Sequence, residues 1–555
     1  MVADAKFIRG VAMIALAMTA ATALVAAAPQ EPTADIIIRG GTVYPGNAAP
    51  FRGDIAIRAD RIIYVGPKAP GGAKKVIDAT GLVVAPGFID PHTHADEALA
   101  SNDPAARLVL PFLMQGVTTA FIGVDGHGDP NVARSFGHIV AKDTIAGRTS
   151  AHSDRDVGIN FASYVGFGDV RKQVIGEADR APTARELTQM ADLVSDAMCQ
   201  GALGLSTGLF YAPQSFAKGD EVVTLARAAA AKGGIYDTHL RDESSYSIGL
   251  HDAIEEALMI GREASIPVHI AHIKALGVDV HGQAPAIIAL IEAAQRAGQV
   301  VHADQYAWSA SHTSLSAALI PRSAQDGGRS AMLKRFGDAP TMERMRPEIA
   351  ENLRRRGGAA SLLITSGPAD AQGKTLEAIA TEQGVDPVAA AIAILKQSEA
   401  RVASFNQNEN DIAAFMLRPW VVTSSDATLG HPRYYGSFAR KYATYVQNEK
   451  VMSLKAFIDQ STAAAATMFR LEGRGQLKVG AFADVIAFDP KSFAPRADYA
   501  NPFLLATGMQ MVLVNGQVAI ENGAPTGVAA GRPLPRQPIA GTCLPDPTIR
   551  PARSN

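Results

Sequence analysis

The hydrophobic pattern changes character twice along the chain. Near the N-terminus, ADIIIRGGTVY, GDIAIRADRIIYVG and KVIDATGLVVAPG alternate apolar and polar positions, broken by Gly pairs and Asp-Arg turns. A two-residue period of this kind predicts short antiparallel strands. The texture returns late, in GQLKVGAFADVIAFDP and GMQMVLVNGQVAIENG, where Asn515-Gly516 between apolar runs predicts a hairpin. Two β-rich ends around a long middle predict one small β-sandwich domain built from both termini, residues 33–86 and 470–535.

The middle, residues 87–469, reads differently. Eight short apolar runs, VVAPGFIDPHTH, VTTAFIGVDG, GINFASYVGFG, ALGLSTGLFY, GIYDTHLRDE, PVHIAHIKAL, VVHADQYAW and VVTSSDA, are strand candidates. Amphipathic helical patterns such as ARELTQMADLVSDAMCQ and GLHDAIEEALMIGREA separate several of them. Repeated βα units predict a parallel sheet, and eight of them predict an α/β fold of the (β/α)8 (TIM) barrel type. The stretch from about 316 to 400 is read as an insertion late in the barrel. Its run MRPEIAENLRRR is read as a helix with a solvated basic face.

Composition narrows the classes. A chain of 555 residues with 19% charged residues and net charge −2 is too poor in charge for a disordered polymer. The charge balance gives no basic footprint, so no nucleic-acid partner is expected. Residues 1–28 carry Lys6 and Arg9, then the apolar run VAMIALAMTAATALV and small residues, the layout of a signal peptide. Export is expected, to the periplasm in a Gram-negative source. That run is short of the roughly 20 apolar residues a membrane span needs, and no later stretch reads as one. Residues 536–555 are read as a C-terminal tail. The two cysteines, Cys199 and Cys543, are too few for a disulfide framework or a cysteine-rich zinc site. Cys199, in an apolar helical pattern, is read as a small buried hydrophobe.

Metal-competent side chains fall at the C-terminal ends of the proposed strands: His92 and His94, Asp125, His239, His272, Asp304 and Asp426. In a (β/α)8 barrel those ends form the active-site face. Alternation in His92-Thr93-His94 puts both imidazoles on one side of the strand. Imidazole and carboxylate donors at an open barrel mouth suit a catalytic divalent metal such as zinc, one or two ions. Such an ion acidifies water and polarises a carbonyl. Asp426 is then the candidate general acid/base. His269 falls on the other strand face and reads as a packed histidine. Asp304 reads as a carboxylate that orients a ligand, and His127 as a loop residue.

These motifs resemble those of the amidohydrolase superfamily, and within it the N-acyl-D-amino-acid deacylases (D-aminoacylases). PGFIDPHTHAD and the late ADVIAFDP carry the superfamily resemblance. GALGLSTGLFYAP, YDTHLRDES, IPVHIAHIKALG, HADQYAW, TSSDA and HPRYYGSFAR carry the narrower one. The resemblance implies a metal-dependent hydrolase cleaving a linear amide of an N-acyl-D-amino acid. It implies His239 and His272 as ligands of a tight zinc, His92 and His94 as ligands of a weaker one, and Asp426 as the catalytic aspartate. Tyr211, Lys274 and Tyr306 match substrate contacts, partly to a carboxylate, and Arg433, in a neighbouring motif near the mouth, is expected to join them in substrate binding. Neither GALGLSTGLFY nor GINFASYVGFG offers a strand-end lysine to be carbamylated as in hydantoinase-like relatives. Two positions depart from the family. GVDG stands where GNCG is usual, so Asp125 replaces a metal-binding cysteine. Tyr306-Ala307-Trp308, followed by His312, replaces YPY, which reads either as a packing change or as a more aromatic pocket. Another amide, xenobiotic, antibiotic, aryl or cyclic, is the alternative substrate class. The sequence sets no oligomeric state.

Overall fold

The computed structural model describes residues 33–140 and 156–543. The expected signal peptide, residues 1–28, lies outside them. All eight strand candidates form strands: Phe88–Asp90, Val117–Ile122, Asn160–Ser163 continued by Val165–Gly166, Gly204–Gly208, Ile235–His239, Val268–Ile270, Val301–Gln305 and Val421–Thr423. Neighbours in this order pair in parallel. The third strand breaks at Tyr164: its first half pairs with the second strand and its second half with the fourth. The ring closes between the eighth and first strands. Thr93 and Ala427 form a parallel bridge, the Asp426 amide donates to the His92 carbonyl (2.9 Å) and the His94 amide to the Ala427 carbonyl (3.0 Å).

Helices form where the 3.6-residue period placed them. Ala184–Cys199 starts at a capping box of Thr183 and Glu186 and buries Met190, Val194, Ala197 and Met198. Leu250–Ala264 buries Leu250, Ala253, Ile254, Ala257 and Leu258 against the barrel.

The β-rich ends join in a nine-stranded sheet. It forks at Ala34–Val43, which pairs antiparallel with Phe51–Arg58 and parallel with both Ala73–Asp78 and Val83–Pro86. The C-terminal strand Val485–Phe488 pairs antiparallel with Val83–Pro86, so the two ends of the chain share one ladder. Strand alternation divides two cores. Val83, Ala85, Ile486 and Phe488 belong to the barrel core, while Val84, Val485 and Ala487 belong to the β-domain core.

The insertion is wider than the sequence indicated. Its flanking strands, Ala310–Ser314 and Arg401–Phe405, pair antiparallel, and Leu362–Ser366 completes a three-stranded sheet. Helices that include Ala339–Arg355 cover it, around a separate core with Leu319, Ile349, Leu376 and Ile394. The basic run does not lie wholly in solvent as expected: Arg354 is exposed, but Arg356 is buried.

The reading of the cysteines is corrected too. Cys199 and Cys543 form a disulfide across 344 residues, and Cys199 is only half-buried. The bridge pins a C-terminal strap across the end of the barrel opposite the ligand-bearing rim. Along the strap, Gly531, Leu534, Arg536 and Ile539 donate backbone hydrogen bonds to Val157, Phe161, Gly201 and Lys232. Among the described residues no single helix is long and apolar enough to cross a membrane.

Candidate metal centre and its pocket

Asp125 is the hub of the rim. Its Oδ1 lies 3.4 Å from His92 Nε2, 3.4 Å from His272 Nε2 and 3.6 Å from His239 Nδ1. Its Oδ2 lies 3.3 Å from His94 Nε2. Asp426 faces the same pair of histidines, with Oδ1 3.5 Å from His94 and 3.9 Å from His92. The His239 Nδ1 and His272 Nε2 atoms approach to 3.0 Å. Strands one, two, five, six and eight thus deliver the five expected ligands and Asp426 to one point.

The backbone is bent to do so. Asp125, His272 and Asp426 have φ of 55°, 35° and 48°, the left-handed region that non-glycine residues rarely adopt. Such conformations persist where the surroundings hold them, and they gather at functional sites. Here the layer below the rim holds them. Asp304 accepts the His272 amide at 3.0 Å through one oxygen and contacts His269 Nε2 at 2.7 Å through the other. Asp90 accepts the Ser425 amide at 3.0 Å. Ser206 Oγ accepts the Gly126 amide and donates to Asp237. Burial pushes the Asp90 carboxyl up to about 8 and Asp237 to about 7.

Glu243, four residues after His239, was missed in the sequence. It lies 2.5 Å from Lys274 Nζ and 3.2 Å from His272 Nδ1, and its other oxygen lies 3.7 Å from His239. Its signal was available as the acid following the strand-end histidine in YDTHLRDES. Arg433 Nη1 lies 2.8 Å from Asp426 Oδ2, with both side chains buried. Arg433 was expected among the substrate contacts; it stands instead behind the aspartate, off the cavity wall.

Charge dominates the centre. Burial favours a neutral Asp426, yet the Arg433 guanidinium and His272 hold its carboxyl far below the usual range. Burial likewise opposes charge on His94 and His272. The carboxylates of Asp125 and Asp426 nevertheless raise His94 to about 9, and with Glu243 they raise His272 to about 10. Asp426 and Glu243 are paired with Arg433 and Lys274, but Asp125 faces only imidazole nitrogens and calls for positive charge. His92 Nε2, His239 Nε2 and Asp125 Oδ1 are buried without hydrogen-bond partners. A divalent cation meets both requirements. His92, Asp125, His272 and Asp426 each offer an atom within 4.8 Å of the others, and His239, Glu243 and His272 form a second such group. The donor set suits zinc and its neighbours.

A cavity of about 190 Å³ opens over this centre. Tyr211, Lys274 and Tyr306 line it, as do His127 and His312. Gln407 donates to the Tyr306 hydroxyl (2.9 Å), and Thr313 donates to the Tyr211 hydroxyl (3.3 Å). His312 bridges Thr428 and Thr365 at 2.7 Å each. Trp308 takes no part in the wall: its Nε1 donates to Ser437 and its ring packs on His431 and Tyr499. Of the two readings of the altered motif, packing holds for Trp308, while His312 reaches the pocket.

Residues 75–520 match the amidohydrolase family. The chain belongs to that family, in its N-acyl-D-amino-acid deacylase branch. It is 32% identical over 517 residues to a D-aminoacylase of Alcaligenes xylosoxydans xylosoxydans, covering 90% of this chain and 98% of that one. It is 31% identical over 524 residues to an N-acyl-D-glutamate deacylase of the same organism, covering 91% and 98%. The structure of the Bordetella bronchiseptica N-acyl-D-glutamate deacylase, complexed with zinc and a phosphonate mimic of the tetrahedral intermediate, superposes with a TM-score of 0.75. The match has 29% identity and covers 90% of this chain and 99% of that one. As an amidohydrolase, the protein is an enzyme acting on carbon–nitrogen bonds other than peptide bonds.

Proposed function

We propose that this amidohydrolase cleaves the linear amide of an N-acyl-D-amino acid to a carboxylate and a D-amino acid, using zinc or a similar divalent ion. The Asp125-centred ring of four imidazoles, with Asp426 beside it, carries the reading. His239, His272 and Asp125 would hold the tighter ion, and His92 and His94 with Asp125 a second. The bound ion supplies Lewis-acid polarisation of the acyl carbonyl and a water acidic enough to attack it near neutral pH. Asp426, kept ionised by Arg433 at 2.8 Å, takes the proton of the attacking water. It then returns that proton to the departing nitrogen. Tyr306, with cationic Lys274 5.7 Å from its ring centroid, lines the cavity where the α-carboxylate would dock. The test is amine release from paired N-acetyl-D- and N-acetyl-L-amino acids by zinc-loaded protein. Hydrolysis of D substrates alone supports the reading; hydrolysis confined to aryl or cyclic amides refutes it.

We further propose that the protein is exported to the periplasm. The disulfide supports this, because such bonds persist in oxidising compartments, as does the N-terminal charge-and-apolar pattern. Fractionation and mass analysis of the mature N-terminus test it. An intact cytosolic chain overturns it.

A further inference from the structure

Arg356 ends the basic run of the insertion, one residue past the helix Ala339–Arg355. It is 1% exposed, yet it lines the cavity above the metal centre. Its Nε and Nη1 are buried without a hydrogen-bond partner. Among the described residues no carboxylate pairs with it; its neighbour is the Tyr246 side chain. Asp242, the acid that acts on Tyr246 and on nearby Arg322, is engaged by the backbone amides of Ser244, Ser247 and Gly249. A guanidinium does not shed its proton, and burying it unpaired is costly. The unpartnered Nε and Nη1 leave room for an anion entering from the cavity.

The position is fixed by the barrel. The Val278 amide donates to the Arg355 carbonyl at 3.2 Å. Gly277, at φ 95°, lets the helix end press in, since a Cβ there would lie 2.3 Å from that carbonyl. Arg401, exposed on the insertion strand Arg401–Phe405, lines the same cavity and likewise has no carboxylate paired with it among the described residues. The cations nearest the metal centre are held by carboxylates, Lys274 by Glu243 and Arg433 by Asp426. A chain of aromatic contacts links Arg356 to the metal-binding His239. The contacts run Arg356 to Tyr246 (5.6 Å), Tyr246 to Phe210 (5.4 Å) and Phe210 to His239 (5.7 Å). Arg356 reaches the cavity from the insertion and the metal ligands reach it from the barrel strands, so the anion it takes is placed on an arm of the substrate.

We propose that Arg356, assisted by Arg401, forms a specificity subsite for a carboxylate remote from the cleaved bond, carried by the amino-acid side chain or by the acyl chain. This rests on the hydrolase reading above and names its substrate class: an acidic N-acyl amino acid. The test compares kcat/KM of the zinc-loaded enzyme on two acid–amide pairs. One is N-acetyl-D-glutamate against N-acetyl-D-glutamine; the other is N-succinyl-D-leucine against its terminal amide. The wild type prefers the acid in one pair by about 10–100-fold, the worth of a charge-assisted hydrogen bond, and the pair identifies the arm. Arg356→Met brings that ratio towards one, Arg356→Lys keeps part of it, and the surface variant Arg401→Met lowers it in the same direction. A purely structural role for Arg356 lowers acid and amide alike and leaves the ratio intact, which overturns the proposal. Turnover without acid preference in either pair also overturns it while sparing the hydrolase reading. No turnover of any of the four substrates removes both.

Discussion

Replacing Asp125 by asparagine keeps the size of the side chain and removes its charge. The carboxylate lies 3.3 to 3.6 Å from nitrogens of His92, His94, His239 and His272. At 3.4 Å and an effective dielectric near 20, one imidazolium gains about 5 kcal/mol from such a neighbour, before the cost of burial. His94 and His272, raised to about 9 and about 10 in the metal-free protein, share that gain. In Asp125→Asn both histidines therefore titrate at lower pH. The same substitution removes the charged donor assigned above to both proposed ion positions. Loss of a partner that merely orients a ligand weakens metal binding about 10–100-fold, so loss of this donor costs about 100-fold or more. Two assays apply. Histidine resonances of the metal-free protein report the titration, and metal content after dialysis against a graded chelator reports affinity. Unchanged histidine titration together with full metal retention would refute Asp125 as the ligand that replaces the family cysteine.

Arg433→Met strips the buried Asp426 of its 2.8 Å partner. Removing one member of a buried pair costs about 3–5 kcal/mol of stability, read from urea unfolding. The Asp426 carboxyl rises, so the acid limb of the kcat/KM profile moves to higher pH; an unmoved limb contradicts the pairing. Paired serine substitutions at Cys199 and Cys543 release the C-terminal strap. Loop-closure entropy for a bridge spanning 344 residues sets an upper bound of about 6 kcal/mol. The expected result is a lower Tm and protease cleavage of the tail with turnover retained; an unchanged Tm counts against it. Lys441 is buried between Thr423 and Gln460, and burial pulls its pKa from 10.5 to about 7. The unfolded chain holds the proton up to about pH 10.5 and the folded chain only to about 7. The burial cost is therefore full below pH 7 and is lifted as pH rises towards 10. The urea midpoint of wild type relative to Lys441→Met should rise between pH 7 and pH 9, and a flat difference rejects the shift.

The barrel was legible because each of its strands is a short apolar run, and most end in a residue that an apolar ladder would not carry. PHTH, GVDG, YDTH, IAHIK and TSSDA mark strand ends as clearly as they mark ligands. The shared sheet of the two termini was legible from period-two alternation. The features that escaped depend on pairings distant in sequence. The disulfide joins a helix end to a tail 344 residues away, and nothing local announces it. Glu243 and Arg433 acquire their roles only when Lys274 and Asp426 come beside them. Arg356 sits in a run of charge that has the pattern of a solvated helix face, and only docking of the helix end on the Gly277 loop buries it. The Trp308 motif left packing and pocket roles open because it adjoins Tyr306, and the contacts with Ser437 and Tyr499 decide for packing.

The proposed chemistry turns on Asp426 carrying the proton from water to the leaving nitrogen. The decisive measurement is kcat of Asp426→Asn on the best N-acyl-D-amino acid, with zinc content matched to wild type. A loss of about 10²–10⁴-fold or more, with the fold and the His239–His272 metal retained, is the predicted result. Turnover equal to wild type at matched zinc would contradict it.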